Sequence, residues 1–118
     1  MAKYDSPSLD RTFGALVDPT RRAILAHLAR KRAASVGELA GPLPIKLPTV
    51  MKHLGVLADA RLITRKKHGR VVTVHLSPDP MKEAMDWLRA YERFWSGRLD
   101  HLAAYAEAKE SEAREQDK

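Results

Sequence analysis

Cysteine is absent from this chain of 118 residues. Its absence excludes disulfides, thiolate metal sites and thiol-based redox sensing. No segment comes near the roughly 20 apolar residues that cross a membrane, and residues 1–10 contain no apolar run that would indicate a secretory signal. Glycine-rich phosphate loops, nucleophile motifs and paired carboxylates are also missing. We therefore expect a soluble cytoplasmic protein that is not an enzyme and has no cofactor.

Acidic residues are scarce in the first two thirds of the chain. Residues 1–78 contain 14 Lys and Arg against 5 Asp and Glu, a net charge of +9, whereas residues 79–118 carry −3. The length and the hydrophobic fraction of 44% are those of one globular domain with a core. The uneven charge indicates a polyanionic partner for the basic part, the alternative being that the basic residues only maintain solubility.

The basic residues are densest between positions 46 and 70, which hold seven Lys or Arg and a single acidic residue, Asp59. Apolar residues at helical spacing begin this stretch and predict a short helix, with Pro48 in its first turn. Its core-facing residues would be Leu47, Val50, Leu54 and Leu57, and its polar side would present Lys46, Thr49, Lys52 and His53. Such a helix suits the major groove of duplex DNA.

A β-hairpin is predicted after this helix, from two short runs at 62–67 and 70–76. Gly69 supplies the positive φ that a two-residue turn at His68-Gly69 needs, and this turn would pair Ile63 with Val74 and Lys67 with Arg70. Like charges that face each other destabilise a hairpin, so a neutralising anion is expected at the tip. The tip holds Arg65, Lys66, Lys67 and Arg70.

Helices are predicted on both sides of a break at Asp18-Pro19, which is a helix-start signal. Arg21 and Arg22 lie in the first turn of the second helix, where cations oppose the helix dipole, and we expect an intramolecular carboxylate to hold at least one of them. A polar connection, residues 30–34, leads to a third helix capped by Ser35. The breaking sequence 41–44 then completes a helix-turn-helix pattern.

The predicted order is a loose N-terminal tail (1–8), one domain (9–106) and a polar, frayed tail (107–118). The last helix of the domain is predicted to run from residue 81 to about 106. Its apolar band is broader than one small domain covers, so pairing with a second copy is expected, the alternative being a fully intramolecular core. The band comprises Met81, Met85, Trp87, Leu88, Tyr91, Phe94, Trp95, Leu99, Leu102 and Tyr105.

The chain resembles the winged-helix repressors of the ArsR/SmtB family over roughly residues 9–105. The resemblance rests on Ala-Leu-Val-Asp-Pro-Thr-Arg-Arg-Ala-Ile-Leu at 15–25, Val-Gly-Glu-Leu-Ala at 36–40, Leu-Pro-Thr-Val-Met-Lys-His-Leu at 47–54 with Val56-Leu57, and the basic hairpin tip at 65–70. Trp87 with Phe94-Trp95 is similar to the branch that has an aromatic last helix. The resemblance implies a mainly α winged helix-turn-helix fold with a small β-hairpin and a homodimer joined through its first and last helices.

The resemblance also implies the site residues of a DNA-binding regulator, with recognition helix 47–59 and wing 62–76. Double-stranded DNA would be contacted by Lys46, Thr49, Met51, Lys52, His53, Arg65, Lys66, Lys67 and Arg70. The dimer interface would comprise Leu9, Phe13, Trp87, Leu88, Tyr91, Phe94, Trp95, Leu99 and Leu102. Met51 stands where many members of the family have a small polar residue, and an apolar side chain there can touch a thymine methyl.

Metal sensing is not carried over from the family. The Cys-x-Cys of many metal sensors has no counterpart at 36–38, and Asp100-His101 does not reproduce the zinc-binding pattern of the last helix. The five histidines, His27, His53, His68, His75 and His101, are widely spaced and lack carboxylates at ligand spacing. The alternatives to a homodimeric repressor are a module that binds another protein through its last helix and a metal-responsive repressor with a His and carboxylate site. RNA binding has less support because the hairpin lacks exposed aromatic residues.

Overall fold

The computed structural model describes residues 6–116, which form six helices and a small antiparallel sheet. The described residues pack as two compact units, which are divided between Ala84 and Met85. The mainly helical fold with a small hairpin is confirmed. In chain order the elements are α1 (Pro7–Leu16), α2 (Pro19–Lys31), β1 (Ala33–Ser35), α3 (Val36–Ala40), α4 (Leu47–Asp59), β2 (Ile63–His68), β3 (Val71–Leu76), α5 (Asp79–Arg89) and α6 (Glu92–Gln116).

The core of the first unit lies between α2, α4 and the sheet. Helix α4 directs Val50, Leu54 and Leu57 into it, as predicted. Leu47 was also predicted to be in the core but is 55% exposed. As the first residue of α4 it lies beyond the end of the core, and side chains of a helix lean toward its N-terminus, away from the core in this case. The largest fully buried side chains are Ile24, Leu28, Leu54, Leu57, Leu62, Ile63, Val50, Val74 and Thr12.

The hairpin forms with a turn one residue later than predicted. His68 pairs with Val71 and Ile63 with Leu76, so that Gly69-Arg70 is the two-residue turn. Gly69 has a φ of 62° and occupies the first central position. This arrangement needs the left-handed conformation at glycine alone, whereas a His68-Gly69 turn would have imposed it on a histidine as well. Because the partners of each strand shift by two residues, the side chains still point to the predicted faces.

A third strand, β1, was not predicted, because residues 30–34 were interpreted as a polar connection. It pairs antiparallel with β3, which gives the strand order β1-β3-β2. Ala34 is buried and lies opposite Val74. Three residues are too few for an alternating pattern to be visible in the sequence. The chain enters β1 after Arg32, which adopts a φ of 66° and donates its N–H to the Leu28 carbonyl at the end of α2.

The junction between α1 and α2 binds both arginines of the first turn of α2. Asp18 caps α2 by accepting the Arg21 N–H at 3.0 Å, as predicted. The prediction that a carboxylate would hold at least one of the two arginine side chains is wrong. Their guanidinium groups instead donate hydrogen bonds to the free carbonyl groups at the C-terminal end of α1. Arg21 donates to the Ala15 carbonyl at 2.7 Å and to the Gly14 carbonyl at 3.3 Å, and Arg22 donates to the Leu16 carbonyl at 2.7 Å.

The N-terminal helix begins earlier than predicted, so the predicted tail at 1–8 is wrong for residues 6–8, and residues 1–5 lie outside the described part. Ser6 caps α1 by accepting the Leu9 N–H. The Ser6 and Ser8 hydroxyls donate to the two carboxylate oxygens of Glu83, each at 2.9 Å. The start of α1 is thereby bound to the first half of α5.

The single last helix of the prediction is two helices. α5 ends at Arg89 in a tight turn, and the Tyr91 carbonyl then accepts the N–H groups of Phe94 and Trp95 as α6 begins. The break contains neither proline nor glycine, so no local residue pattern indicates it. The predicted frayed tail also differs, because α6 continues to Gln116, with residues 117–118 outside the described part. Among the described helices, none has the length and apolar character to cross a membrane.

Candidate nucleic-acid interface

The predicted helix-turn-helix is formed by α3 and α4. Ser35 caps α3 by accepting the Glu38 N–H at 3.1 Å, which is the serine half of the predicted capping box. The α3 helix is only five residues long and is anchored by Leu39, which is buried. Residues 41–46 then connect to α4, whose buried stripe fixes its rotation about its own axis. The opposite side of α4 is therefore held toward solvent.

The exposed part of α4 is concentrated in its first two turns. Thr49, Met51 and Lys52 are exposed there, as is Lys46 immediately before the helix. No side chain caps the N-terminus of α4, since Lys46 precedes it and makes no capping hydrogen bond. Pro48 has no N–H, and the Thr49 and Val50 N–H groups donate to the Lys46 carbonyl, so this end of α4 offers chiefly the positive end of the helix dipole next to a lysine. This combination attracts anions such as phosphates.

The β2–β3 hairpin forms a wing whose tip is entirely exposed from Thr64 to Val71. Successive side chains of a strand point to opposite faces, so Lys66 lies on one face and Arg65 and Lys67 on the other. β2 is an edge strand of the sheet, because β3 lies between it and β1. The charges on β2 also discourage pairing with another chain at that edge.

The exposed cations of α4 and the wing have no acidic partners. Within residues 6–116, no carboxylate lies within 4 Å of any of them, whereas Lys31 approaches Glu38 at 3.9 Å and Arg114 approaches Glu110 at 3.3 Å. Exposed positive charges without acidic partners raise the local concentration of polyanions. The unpaired cations, called the basic surface below, are Lys46, Lys52, Arg65, Lys66, Lys67 and Arg70.

His53 is not on the exposed side of α4, and its predicted position there is wrong. At 100° per residue it lies only about 60° around the helix from Val50, which is fully buried. Its side chain is 17% exposed and lies against the α1–α2 junction. Its Nδ1 is 3.2 Å from a guanidinium nitrogen of Arg21 and 3.8 Å from a carboxylate oxygen of Asp18. The imidazole therefore fixes α4 to this junction rather than projecting from the surface.

A groove between α4 and the wing was not foreseen from the sequence. It has a volume of about 450 Å³ and is lined by residues of β1, α3, α4, the hairpin turn and β3. Leu47, Met51 and Val71 contribute exposed apolar side chains to it, and Arg70 lies at its edge. The exposure of Leu47 could not be predicted because helical spacing alone does not show where a core ends. The groove is lined by Ser35, Val36, Gly37, Leu47, Met51, Arg70, Val71 and Val72.

The histidines are not gathered into a metal site within either unit. Among residues 6–116, no three His, Asp or Glu side chains are close enough together to hold a metal ion. His53 lies 3.8 Å from Asp18, and its ring also contacts the cationic Arg21. A guanidinium in this position disfavours a bound cation.

The residues predicted to form a dimer interface have different degrees of exposure. Leu9, Phe13 and Leu88 are half-buried, whereas the aromatic and leucine side chains from Trp87 to Leu102 in the second unit are 37–63% exposed. The Tyr91 ring lies between those of Trp87 and Trp95, with centroid distances of 5.1 and 6.2 Å. These aromatic contacts give α5 and α6 a preorganised apolar surface.

Comparison with known proteins places this geometry in a family. A helix-turn-helix domain model matches residues 16–66, which include α2, α3 and α4 and most of β2. The chain is 40% identical over 112 residues to the HTH-type transcriptional regulator Rv2034 of Mycobacterium tuberculosis, covering 95% of this chain and 96% of that protein. It is 28% identical over 80 residues to the transcriptional repressor SdpR of Bacillus subtilis, and the match covers 68% of this chain and 88% of that protein.

Solved structures agree with these sequence relatives. A crystal structure of an ArsR family transcriptional regulator has a TM-score of 0.72 and 41% identity, over 81% of this chain and 97% of that one. An ArsR-like transcriptional regulator from Rhodococcus sp. RHA1 has a TM-score of 0.63 and 29% identity, over 80% of this chain and 89% of that one. The similarity therefore covers the helix-turn-helix, the wing and most of the remaining chain.

Proposed function

We propose that this chain, which belongs to the ArsR-like family of winged helix-turn-helix transcriptional regulators, represses transcription as a homodimer bound to an inverted-repeat operator. DNA binding and transcription regulation are properties of the family. The dimer, the symmetric operator and the repression are our inferences for this chain. Repression is supported by the relative named as a transcriptional repressor in Bacillus subtilis.

The basic surface is the observation that carries the proposal. Its six cations are exposed and lack carboxylate partners among the described residues, and they lie at the start of α4, on α4 or on the wing that follows it. Each cation that neutralises a phosphate releases counterions, which gives affinity for DNA of any sequence. In winged helix-turn-helix proteins these contacts orient the protein, and base edges are then contacted by the N-terminal residues of the recognition helix.

The division of roles follows from position on α4. Thr49, Met51 and Lys52 are exposed in its first two turns and are proposed to contact base edges or adjacent phosphates. Lys46 and the wing cations are proposed to hold the backbone. His53 is omitted from the base contacts, since its imidazole is directed to Arg21. This is the one change from the set of contacts that the sequence suggested.

A homodimer is supported by the exposed surface of α6. Trp95, Leu99 and Leu102 follow one another at intervals of four and three residues, which places them along one stripe of the helix. Leu99 and Leu102 are each 63% exposed, an unfavourable situation for a single chain in water. A second copy offers the same stripe and would bury both through a twofold axis. Two recognition helices could then enter successive major grooves, about 34 Å apart.

Selection of bound fragments from genomic DNA, followed by footprinting and measurement of the mass of the complex, tests the proposal. We expect an enriched inverted repeat with half-sites one helical turn apart and two chains per site. Enrichment of a site without symmetry, bound by one chain, would contradict the dimer but leave DNA binding in place. A monomer that binds no DNA and retains another protein through α6 would favour the interaction module instead. Enrichment only in the presence of a metal ion would favour the metal-responsive repressor.

A further inference from the structure

The groove between α4 and the wing gathers exposed apolar side chains within a basic surface. In the described part of the first unit, residues 6–84, the large exposed hydrophobic side chains are Val17, Leu47, Met51, Val56 and Val71. Three of the five, Leu47, Met51 and Val71, line this one groove. They are 55%, 38% and 53% exposed, respectively. Contiguous apolar surface of this kind indicates a binding site more often than single exposed residues do.

The surroundings of the groove decide what can occupy it. Lys46 immediately precedes Leu47, Lys52 immediately follows Met51, and Arg70 is itself part of the lining. An occupant must therefore be a polyanion that also presents small apolar groups. The major groove of DNA does so at thymine, whose 5-methyl group is the only apolar substituent that the four bases show there.

We propose that Leu47 and Met51 read thymine methyl groups in the operator, with Val71 completing the apolar wall. This inference rests on the proposed function and specifies which base the recognition helix selects. Residues 47 and 51 are one turn apart on α4, so their side chains are neighbours on the same flank of the helix. They also lie in its first two turns, the part of a recognition helix that approaches base edges.

The magnitude follows from the size of a methyl group. Burial of one CH₂-sized group contributes about a fourfold gain in affinity. Removing the methyl from both half-sites would multiply the two effects, to roughly fifteenfold if they are independent. The same groove would accept 5-methylcytosine, because this base presents the methyl at the equivalent position in the major groove.

The test uses the selected operator and replaces each thymine in turn by deoxyuridine, which removes only the methyl group. We expect at least one symmetric pair of thymine positions that is sensitive to this change. Deoxyuridine at one position of the pair should weaken binding about fourfold, and deoxyuridine at both positions roughly fifteenfold. For the Met51→Ala or Leu47→Ala protein, deoxyuridine at those positions should reduce the affinity for the operator much less. Cytosine in place of the same thymine should weaken binding, and 5-methylcytosine should recover part of the loss.

Val56→Ala is the matched control. Val56 is 40% exposed on the same helix but lines a different cavity, together with Arg11 and Asp59. The Val56→Ala substitution should not change the loss of operator affinity that deoxyuridine causes. If the operator is bound specifically but no thymine is sensitive to deoxyuridine, the methyl reading is wrong and the proposed function stands. If Met51→Ala and Leu47→Ala weaken thymine and deoxyuridine sites equally, the groove does not read the methyl. If no DNA is selected at all, the proposed function and this inference both fail.

Discussion

The imidazole Nδ1 of His53 lies 3.2 Å from a guanidinium nitrogen of Arg21, and this contact joins the recognition helix to the α1–α2 junction. Arg21 at the same time donates to the Ala15 carbonyl at 2.7 Å. One arginine side chain therefore binds the end of α1 and the middle of α4. A pattern of charged residues along the chain could not reveal this, because the partners of the guanidinium are backbone carbonyls and an imidazole ring.

Replacing His53 by Ala should weaken DNA binding by the same factor on the selected operator and on random DNA. The substitution removes a packed side chain and one partner of Arg21, so we also expect a loss of about 1 kcal/mol in the free energy of unfolding. Titrations on the two DNAs, with urea unfolding of the same protein, measure both effects. Thr49→Ala is the contrast, since Thr49 is exposed on the same helix and should change the ratio of the two affinities. A change in that ratio for His53→Ala would show that the imidazole reads bases after all.

Stability should fall in acid through Asp18. The Arg21 N–H that donates to this carboxylate holds its pKa below the ordinary value; burial acts in the opposite direction, and the charges of His53 and Arg21 lower the pKa further. A carboxyl whose pKa is lower when folded stabilises the protein above its unfolded pKa and loses this contribution as the pH falls through the folded pKa. Asp18→Asn should therefore show a shallower decline in urea midpoint below about pH 5.

The variant Asp18→Ala separates the charge of this residue from its capping oxygen. Asparagine caps a helix about as well as aspartate, whereas alanine does not. We expect Asp18→Ala to be less stable than Asp18→Asn at neutral pH. An unchanged acid decline in Asp18→Asn would assign the acid sensitivity of the protein to other carboxylates.

Much of the fold could be predicted because local signals agreed with one another. Asp18-Pro19, the capping box at Ser35 and the glycine of the hairpin each mark a boundary that the structure contains. The strand β1 was missed because its pairing partner, β3, is some 40 residues away and three residues carry no periodicity. The break before α6 was missed because it contains neither proline nor glycine.

The candidate site was only partly predictable for a related reason. Exposed cations at the hairpin tip follow from alternation and turn geometry, which are local. The orientation of His53 and the exposure of Leu47 depend on where the neighbouring elements end. The helical spacing of apolar residues carries no information about those positions. Sequence reasoning could have placed His53 better, since it lies closer around the helix to Val50 than to the outward side.

Replacing Lys66 and Lys67 by Ala should lower affinity on all DNA sequences and reduce the salt dependence of binding. The log–log slope should become less steep by as much as about 0.9 for each phosphate contact that is lost. Titrations at several salt concentrations measure the slope. Lys82→Ala with Arg114→Ala removes the same charge from exposed positions outside the basic surface and serves as the control. Equal slopes in the two double variants would mean that the wing lysines act only through net charge.

Leu99→Arg should separate the proposed dimer into monomers. Leu99 is 63% exposed, so the substitution should not disturb the fold of one chain, but it would place a charge in the apolar stripe of α6. We expect half the molecular mass in sedimentation and an affinity for an inverted repeat that is lower by roughly tenfold or more, because the two half-sites are no longer bound together. Ala104→Arg introduces the same side chain on the opposite side of α6 and should remain dimeric. A Leu99→Arg protein with unchanged mass would direct attention to another interface.

Replacing Gly55 by Ala should make the protein more stable and a weaker DNA-binding protein. Gly55 lies inside α4, on the outward side that also contains Lys52, and a Cβ there would meet no described atom within 4 Å beyond its chain neighbours and the adjacent helix backbone. Glycine inside a helix costs about 0.5–1 kcal/mol relative to alanine, so packing gives no reason to retain it. Close approach of DNA to this part of α4 would explain the glycine, because any side chain at position 55 would then stand between the helix and the DNA.

Gly14→Ala is the matched control for this substitution. Gly14 also lies inside a helix, α1, and a Cβ there would likewise meet no described atom within 4 Å beyond its chain neighbours and the adjacent helix backbone. Both variants should gain a similar free energy of unfolding in urea titrations, while only Gly55→Ala should lose affinity for the operator. Sedimentation of both variants would verify that neither change alters the assembly. If Gly55→Ala binds DNA as well as the unaltered protein, the middle of α4 does not approach the DNA surface, and the contacts must be confined to its first two turns and the wing.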